Sequence, residues 1–309
     1  MNFTLKQLRY VEATGRLGSI ANAANELNIS QSSITAAIGA LESQIGFDLF
    51  VRTPAKGISV TPAGRETLKL IRNFITQSRQ FEAEVVAIGG DATGSVRISC
   101  YATAAPSFLP PILQNFKSNY PNIAITFLEG NMDSTMAYLK NGEADLAFTY
   151  EETLEDRQEF TPLFAAPPYA LLAVDDPLAQ EKSVCLADLA DKPMVMLDLP
   201  RTKEYFIGMF ENAGLKPNLV HSTRSTEIVR ALVSGGHGFS MLNICPPDYQ
   251  GDDTRFRALP IRDEANVPVF GIVTLANTRQ PSIVNSFIDQ CIDLRDAGII
   301  EEITIKHSR

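Results

Sequence analysis

A chain of 309 residues exceeds one small domain, so two or three domains are expected. With 45% hydrophobic and 20% charged residues it reads as globular, which excludes a disordered polymer, and no apolar run reaches membrane-spanning length. A net charge of −9 excludes a uniformly basic surface, yet residues 1–65 hold six Lys or Arg against four acids, leaving the acidic excess to the rest of the chain. The opening Met1-Asn2-Phe3-Thr4-Leu5-Lys6 lacks the basic-then-apolar plan of a secretory leader, so a cytoplasmic location is expected. Cys100, Cys185, Cys245 and Cys291 form no C-x-x-C pair, and the three histidines are scattered. Neither a metal site nor a cofactor is expected, and buried reduced thiols are.

Taken in chain order, Thr4 followed by Gln7 resembles a capping box, with Leu5, Leu8 and Val11 as a helical apolar stripe. Gly15 and Gly18 bracket an expected break. Ser19 can cap a second helix carrying Ile20, Ala23, Ala24 and Leu27, and Asn28-Ile29 makes a short turn. Ser30 then caps a third helix with Ile34, Ile38, Leu41 and Ile45 facing inward and Gly46 beyond its end. Two short helices joined by so tight a turn match a helix-turn-helix. The outward face of the third helix carries Gln31, Ser32, Thr35, Ala36 and Gly39, small enough to let the backbone approach base edges; Gln can pair with adenine, and Thr or Ala can touch the thymine methyl. The same small residues would also suit a three-helix protein-interaction bundle. Phe47 to Arg52 and Ile58 to Val60, around Thr53-Pro54-Ala55-Lys56-Gly57, read as a β-hairpin. As a wing it would bring Arg52 and Lys56 near phosphates.

Thr61 and Pro62 then open a long helix. Ile71, Ser78 and Val85 are seven apart, as are Phe74, Phe81 and Ile88, which predicts a coiled-coil seam used for dimerisation. Gly89 to Gly94 reads as a hinge.

These residues resemble the LysR-type transcriptional regulators. The resemblance runs through Leu8-Arg9-Tyr10, Gly18-Ser19-Ile20, Ala23-Ala24, Leu27, Ser30-Gln31-Ser32, Ile38, Leu41-Glu42, Gly46, Leu49-Phe50, Arg52 and Thr61-Pro62-Ala63-Gly64. It implies an α/β protein with an N-terminal winged helix-turn-helix (1–61), a linker dimerisation helix and hinge (62–90), and a periplasmic-binding-protein-like effector domain (91–309). By the same analogy that domain has two α/β subdomains, about 94–163 plus 268–309 and about 164–267. The implied partners are double-stranded promoter DNA with dyad half-sites, a small-molecule effector, a second copy of the chain in a dimer or tetramer, and RNA polymerase. Ala36-Ala37 stands where the family often has a longer polar residue. Base contacts are therefore expected to rest on Gln31, Ser32, Ser33 and Thr35.

Beyond Gly94, apolar strands alternate with helical segments, which argues for parallel sheets with helices on both faces. The expected strands begin near Val96, Ile123, Leu146, Tyr169, Met194, Asn218, Phe239 and Val269. Ligands of such folds lie outside the carboxyl ends of strands, which nominates Tyr101, Thr103, Glu129, Thr149, Arg201, Thr202, Thr223 and Asn243. Arg201 at a helix start would suit an organic anion, or it could pair with Asp198 or Glu204. No G-x-S-x-G elbow, P-loop or H-E-x-x-H is present, so no enzyme activity is expected. Two alternatives stand beside the ligand-responsive regulator. One is a redox sensor pairing Cys185 with Cys245; the other is a small-molecule-binding protein or enzyme with an N-terminal interaction module.

Overall fold

The computed structural model describes residues 3–53, 57–88, 94–245 and 255–300. These fall into two compact units, divided near residue 91. Lys56 lies outside the described residues, and so does the side chain of Arg52.

The first unit begins with α1 (Leu5–Leu17), α2 (Ile20–Glu26) and α3 (Gln31–Ile45). Thr4 and Gln7 do form a reciprocal capping box, and Gly18 ends α1 in the left-handed region. Gly15 marks no break. It lies inside α1, where an added Cβ would meet the Leu68 side chain at 2.5 Å, so its smallness serves packing. Ser19 and Ser30 cap α2 and α3, and Asn28 turns the chain between them at φ +51°. Leu8, Val11, Ala23, Ala24, Ile34, Ile38 and Leu41 are buried together as the periodicity predicts.

Two motif residues position the wing, β1 (Phe50–Thr53) paired antiparallel with β2 (Gly57–Val60). Glu42 Oε1 accepts the backbone N–H groups of Leu49 (2.8 Å) and Phe50 (3.1 Å). Thr61 donates its hydroxyl to the Asp48 carbonyl at 2.9 Å, and its Oγ1 accepts from Gly64 N at 2.8 Å. Thr61 thus caps the next helix and ties it to the wing's entry.

That helix, α4 (Pro62–Ile88), is seated on α1 by Leu68, Ile71 and Ile75, all buried, and by Arg72 to Glu12 at 3.2 Å. Ile71 is therefore core of its own unit and leaves the predicted seam. Leu70 (70% exposed) takes its place beside Phe74 (50%), Phe81 (68%) and Val85 (51%). At 100° per residue these four fall within about 60° of arc, roughly a quarter-turn from the buried stripe. Ser78 is half-buried, and the Ile88 side chain is outside the described set.

The second unit holds two sheets' worth of core. The larger sheet has the order β4-β3-β5-β12-β6. Its members are β3 (Gly94–Tyr101), β4 (Ile123–Gly130), β5 (Leu146–Tyr150), β6 (Gln158–Ala165) and β12 (Val269–Leu275). β3 runs parallel to β4 and β5, whereas β12 is antiparallel to both β5 and β6. Helices α5 (Ala105–Asn119), α6 (Met132–Lys140) and α10 (Ser282–Asp296) cover it, with Phe108, Phe148, Phe270 and Phe287 buried among them.

The other lobe contains β7 (Tyr169–Ala173), β8 (Pro193–Leu197), β9 (Asn218–Thr223), β10 (Ser240–Leu242) and β11 (Phe256–Pro260). It also contains α7 (Leu186–Leu189), α8 (Thr202–Asn212) and α9 (Thr226–Ser234). β10-β7-β11 is antiparallel, β8-β9 is parallel, and Val195 N donates to the Phe239 carbonyl at 2.7 Å to join them.

The expectation of parallel sheets is corrected: both are mixed. β6 and β11 escape the sequence pattern, and both are edge strands containing proline, Pro162 and Pro260. Proline removes a ladder donor, so it demotes a strand signal while remaining tolerable at an edge.

Candidate functional site

The first unit exposes the start and outer face of α3. Gln31, Ser32 and Ser33 at the start of α3 are exposed, Thr35 is half-buried one turn on, and Ala36 and Gly39 are open to solvent. Ser30 Oγ accepts Ser33 N at 3.3 Å and lies 2.8 Å from Ser33 Oγ and 2.9 Å from Ser32 Oγ. The cap therefore partly occupies both serine hydroxyls, and it leaves Gln31 and Thr35 as the longer polar side chains of that face.

In the second unit a cleft of about 540 Å³, counting its open mouth, lies between the two lobes. It collects the carboxyl ends of β3, β5 and β8 with the starts of α8 and α9. Of the eight nominated residues, Tyr101, Thr103, Arg201, Thr202 and Asn243 line it. Three do not. Glu129 points to solvent from β4, Thr149 is buried inside the sheet, and Thr223 Oγ1 accepts Ser225 N at 3.3 Å in the turn before α9. Side chains alternate across a strand, so a junction residue one position off faces the wrong side.

The lobes meet across this cleft through named bonds. Tyr101 Oη and Thr202 Oγ1 are 2.9 Å apart. Arg201 donates from Nε to Asp133 Oδ1 at 2.9 Å and from Nη1 to the Glu152 carbonyl at 3.1 Å. Its partner is thus Asp133 on the opposite lobe, not Asp198 or Glu204. Arg201 holds φ +64° and ψ −35°, a strained conformation for a non-glycine residue at the mouth of a helix. Asn243 Nδ2 donates to the Ala166 carbonyl at 2.8 Å, fixing its amide at the rear.

Sequence reasoning missed Glu152, Tyr205 and Arg230, all of which line the cleft. Arg230 is 7% exposed and donates from Nη1 to Glu227 Oε1 at 2.6 Å. It lies a turn into α9, where the strand-end rule does not look. A charged residue on the buried stripe between Val229 and Val233 is the signal that could have found it. Burial raises the Glu152 carboxyl above its ordinary value, against the opposing pull of the Arg201 guanidinium.

The thiols are set apart from this chemistry. Burial pushes Cys100 and Cys245 up to about 11, and raises Cys291 further. A thiol with so high a pKa is almost wholly protonated at neutral pH, and the thiolate is the nucleophile. Peroxide treatment at pH 7 is therefore expected to leave Cys245 reduced, as read by thiol trapping and mass spectrometry. A Cys185–Cys245 disulfide in that experiment would restore the redox reading. Among the described residues no group of three or more His, Cys, Asp or Glu could hold a metal, and no helix is long and apolar enough to cross a membrane.

Comparison with known proteins meets this geometry. The model for the bacterial regulatory helix-turn-helix protein, lysR family, matches residues 5–65, and that for the LysR substrate binding domain matches 89–295. YnfL, an uncharacterised HTH-type transcriptional regulator of Escherichia coli K12, is 28% identical over 293 residues, 93% of this chain and 97% of the relative. The crystal structure of HinK, a LysR family transcriptional regulator from Pseudomonas aeruginosa, is 31% identical with a TM-score of 0.61, covering 94% of this chain and 98% of that one. CbnR, a LysR family transcriptional regulator, shares the fold at 21% identity and a TM-score of 0.66, over 94% of this chain and 99% of its own. A winged helix-turn-helix joined to a two-lobed ligand-binding unit defines a DNA-binding transcription regulator with an effector-binding domain. The chain belongs to the LysR family of transcriptional regulators.

Proposed function

We propose that this regulator binds dyad promoter DNA as a homodimer or a tetramer, and that a small organic anion in the inter-lobe cleft modulates that binding. The observation that carries the effector assignment is Arg230, a guanidinium buried on a cleft wall with an acidic partner, Glu227, whose side chain is 72% exposed. The planar fork of Arg230 lines the cleft, and such a fork matches a ligand carboxylate in a bidentate manner. Arg201, Thr202, Thr103 and Tyr101 supply the surrounding donors.

On the DNA side, Gln31, Ser32, Ser33 and Thr35 read base edges, while Arg52 and Lys56 of the wing bind phosphates. Their exposure, where described, and the near absence of acids on that face of α3 support this reading. Dimerisation runs along α4 through Leu70, Phe74, Ser78, Phe81, Val85 and Ile88. The domains divide at 1–61, 62–90 and 91–309. The protein works in the cytoplasm, contacts RNA polymerase at its promoters and catalyses no reaction. An effector bridging the lobes would stabilise one lobe arrangement over another, which is the differential affinity a ligand switch requires.

Arg230→Met tests the cleft. In calorimetry against a panel of small mono- and dicarboxylates, the variant is expected to bind at least about tenfold more weakly than the parent, the loss of one charge-assisted contact. Gel shift on the gene's own upstream DNA at low salt tests the regulator as a whole. An acid that binds the variant as tightly as the parent would remove Arg230 from the site.

A further inference from the structure

The cleft's charges are already partly spent. Arg201 is held by Asp133 and Arg230 by Glu227, so both guanidinium groups that line the space have carboxylate partners. Glu152 is the carboxylate left over. It lines the same space, accepts no side-chain hydrogen bond and forms no ion pair with a described residue, sensing Arg201 only through space. A simple carboxylate entering here would gain Arg230 and be repelled by Glu152. A ligand carrying a cationic donor as well would satisfy both.

We infer that the effector is a small zwitterion of the α-amino-acid type, its carboxylate against Arg230 and its ammonium group against Glu152. This rests on the cleft being the effector site. The two anchors come from opposite lobes, Glu152 just after β5 and Arg230 on α9, so a molecule holding both ties the lobes together. The same lining includes the apolar Met132, Leu197, Phe206 and Ile244, which suits an uncharged aliphatic or aromatic side chain on the ligand. Burial on the cleft wall, and to a lesser degree the neighbouring Glu151, raise the proton affinity of Glu152 against the pull of Arg201. A site built around a buried polar group discriminates strongly against the analogue that lacks its partner, and partial exposure here moderates that to about tenfold.

The test uses the full-length protein and three matched pairs: L-phenylalanine with 3-phenylpropanoate, L-leucine with 4-methylpentanoate, and L-methionine with 4-(methylsulfanyl)butanoate. Calorimetry is expected to show at least one amino acid binding at least about tenfold more tightly than its des-amino partner. Glu152→Gln is expected to erase that ratio, weakening the amino acid while the des-amino partner binds no more weakly than it does to the parent. A des-amino acid that binds the parent as well as its amino acid, a preference that survives Glu152→Gln, or six compounds that all fail to bind would each overturn the zwitterion. Acids that bind without amine preference but weaken in Arg230→Met would leave the anion cleft standing. Acids indifferent to both variants would remove the cleft itself.

Discussion

Phe81→Asp is expected to convert the purified regulator from an oligomer into a monomer at micromolar concentration, with its fold intact. Phe81 is 68% exposed on α4, in line with Leu70, Phe74 and Val85, and an apolar row of that length has no partner among the described residues of its own unit. Two-fold pairing of the helix would bury Phe81 twice. At about 2 kcal/mol for each phenyl group, the pair contributes about 4 kcal/mol, or a thousandfold in the dissociation constant. The introduced carboxylates add desolvation on top. Sedimentation velocity reads the result directly, and loss of binding to a two-half-site operator is expected with it. Leu70→Asp is expected to do the same. Ile71→Asp, one residue on, is expected instead to unfold the first unit, because Ile71 is 6% exposed in its core. If Phe81→Asp sediments as the parent does, the α4 stripe has no part in assembly.

Gly64→Ala is expected to destabilise the first unit by about 3 kcal/mol, the upper range for forced overpacking. A Cβ on Gly64 would stand 2.1 Å from the Leu49 carbonyl oxygen and 2.9 Å from its carbon, both backbone atoms. Leu49 cannot yield easily. Its N–H is held by Glu42, and its carbonyl already accepts Thr61 N at 3.0 Å. Relief must therefore come from lifting the start of α4 away from the wing, which breaks the Thr61 bonds as well. Urea unfolding followed by circular dichroism is expected to show the first unit melting earlier, with the second unit's transition unmoved and operator binding weakened. An unchanged midpoint would mean the Gly64–Leu49 approach is looser than the structure has it.

Why was so much of the first unit legible? Its signals are local. A capping box needs Thr4 and Gln7 three residues apart, and a turn between α2 and α3 needs a residue such as Asn28 that accepts positive φ. Such patterns are set within one helical turn, so they survive without knowledge of the rest. The heptad at 71, 78 and 85 failed at its first position for the opposite reason. Two apolar stripes run along α4, one turned to α1 and one to solvent, and periodicity alone counts both as one seam.

The cleft was legible to the extent that topology governs it. Strand ends point to Tyr101, Thr103, Arg201, Thr202 and Asn243, which line the cleft, and equally to Glu129, Thr149 and Thr223, which do not, because the rule does not say which way a side chain faces. By itself, the sequence determined the helix-turn-helix with its caps, the order of the two units and the family, since all of these rest on short-range spacing. The tertiary structure alone decided that Arg201 pairs with Asp133, that Arg230 lies buried on a cleft wall, and which side of α4 stays open. Those outcomes depend on segments tens of residues apart being brought within a few ångströms, and no local pattern records that distance.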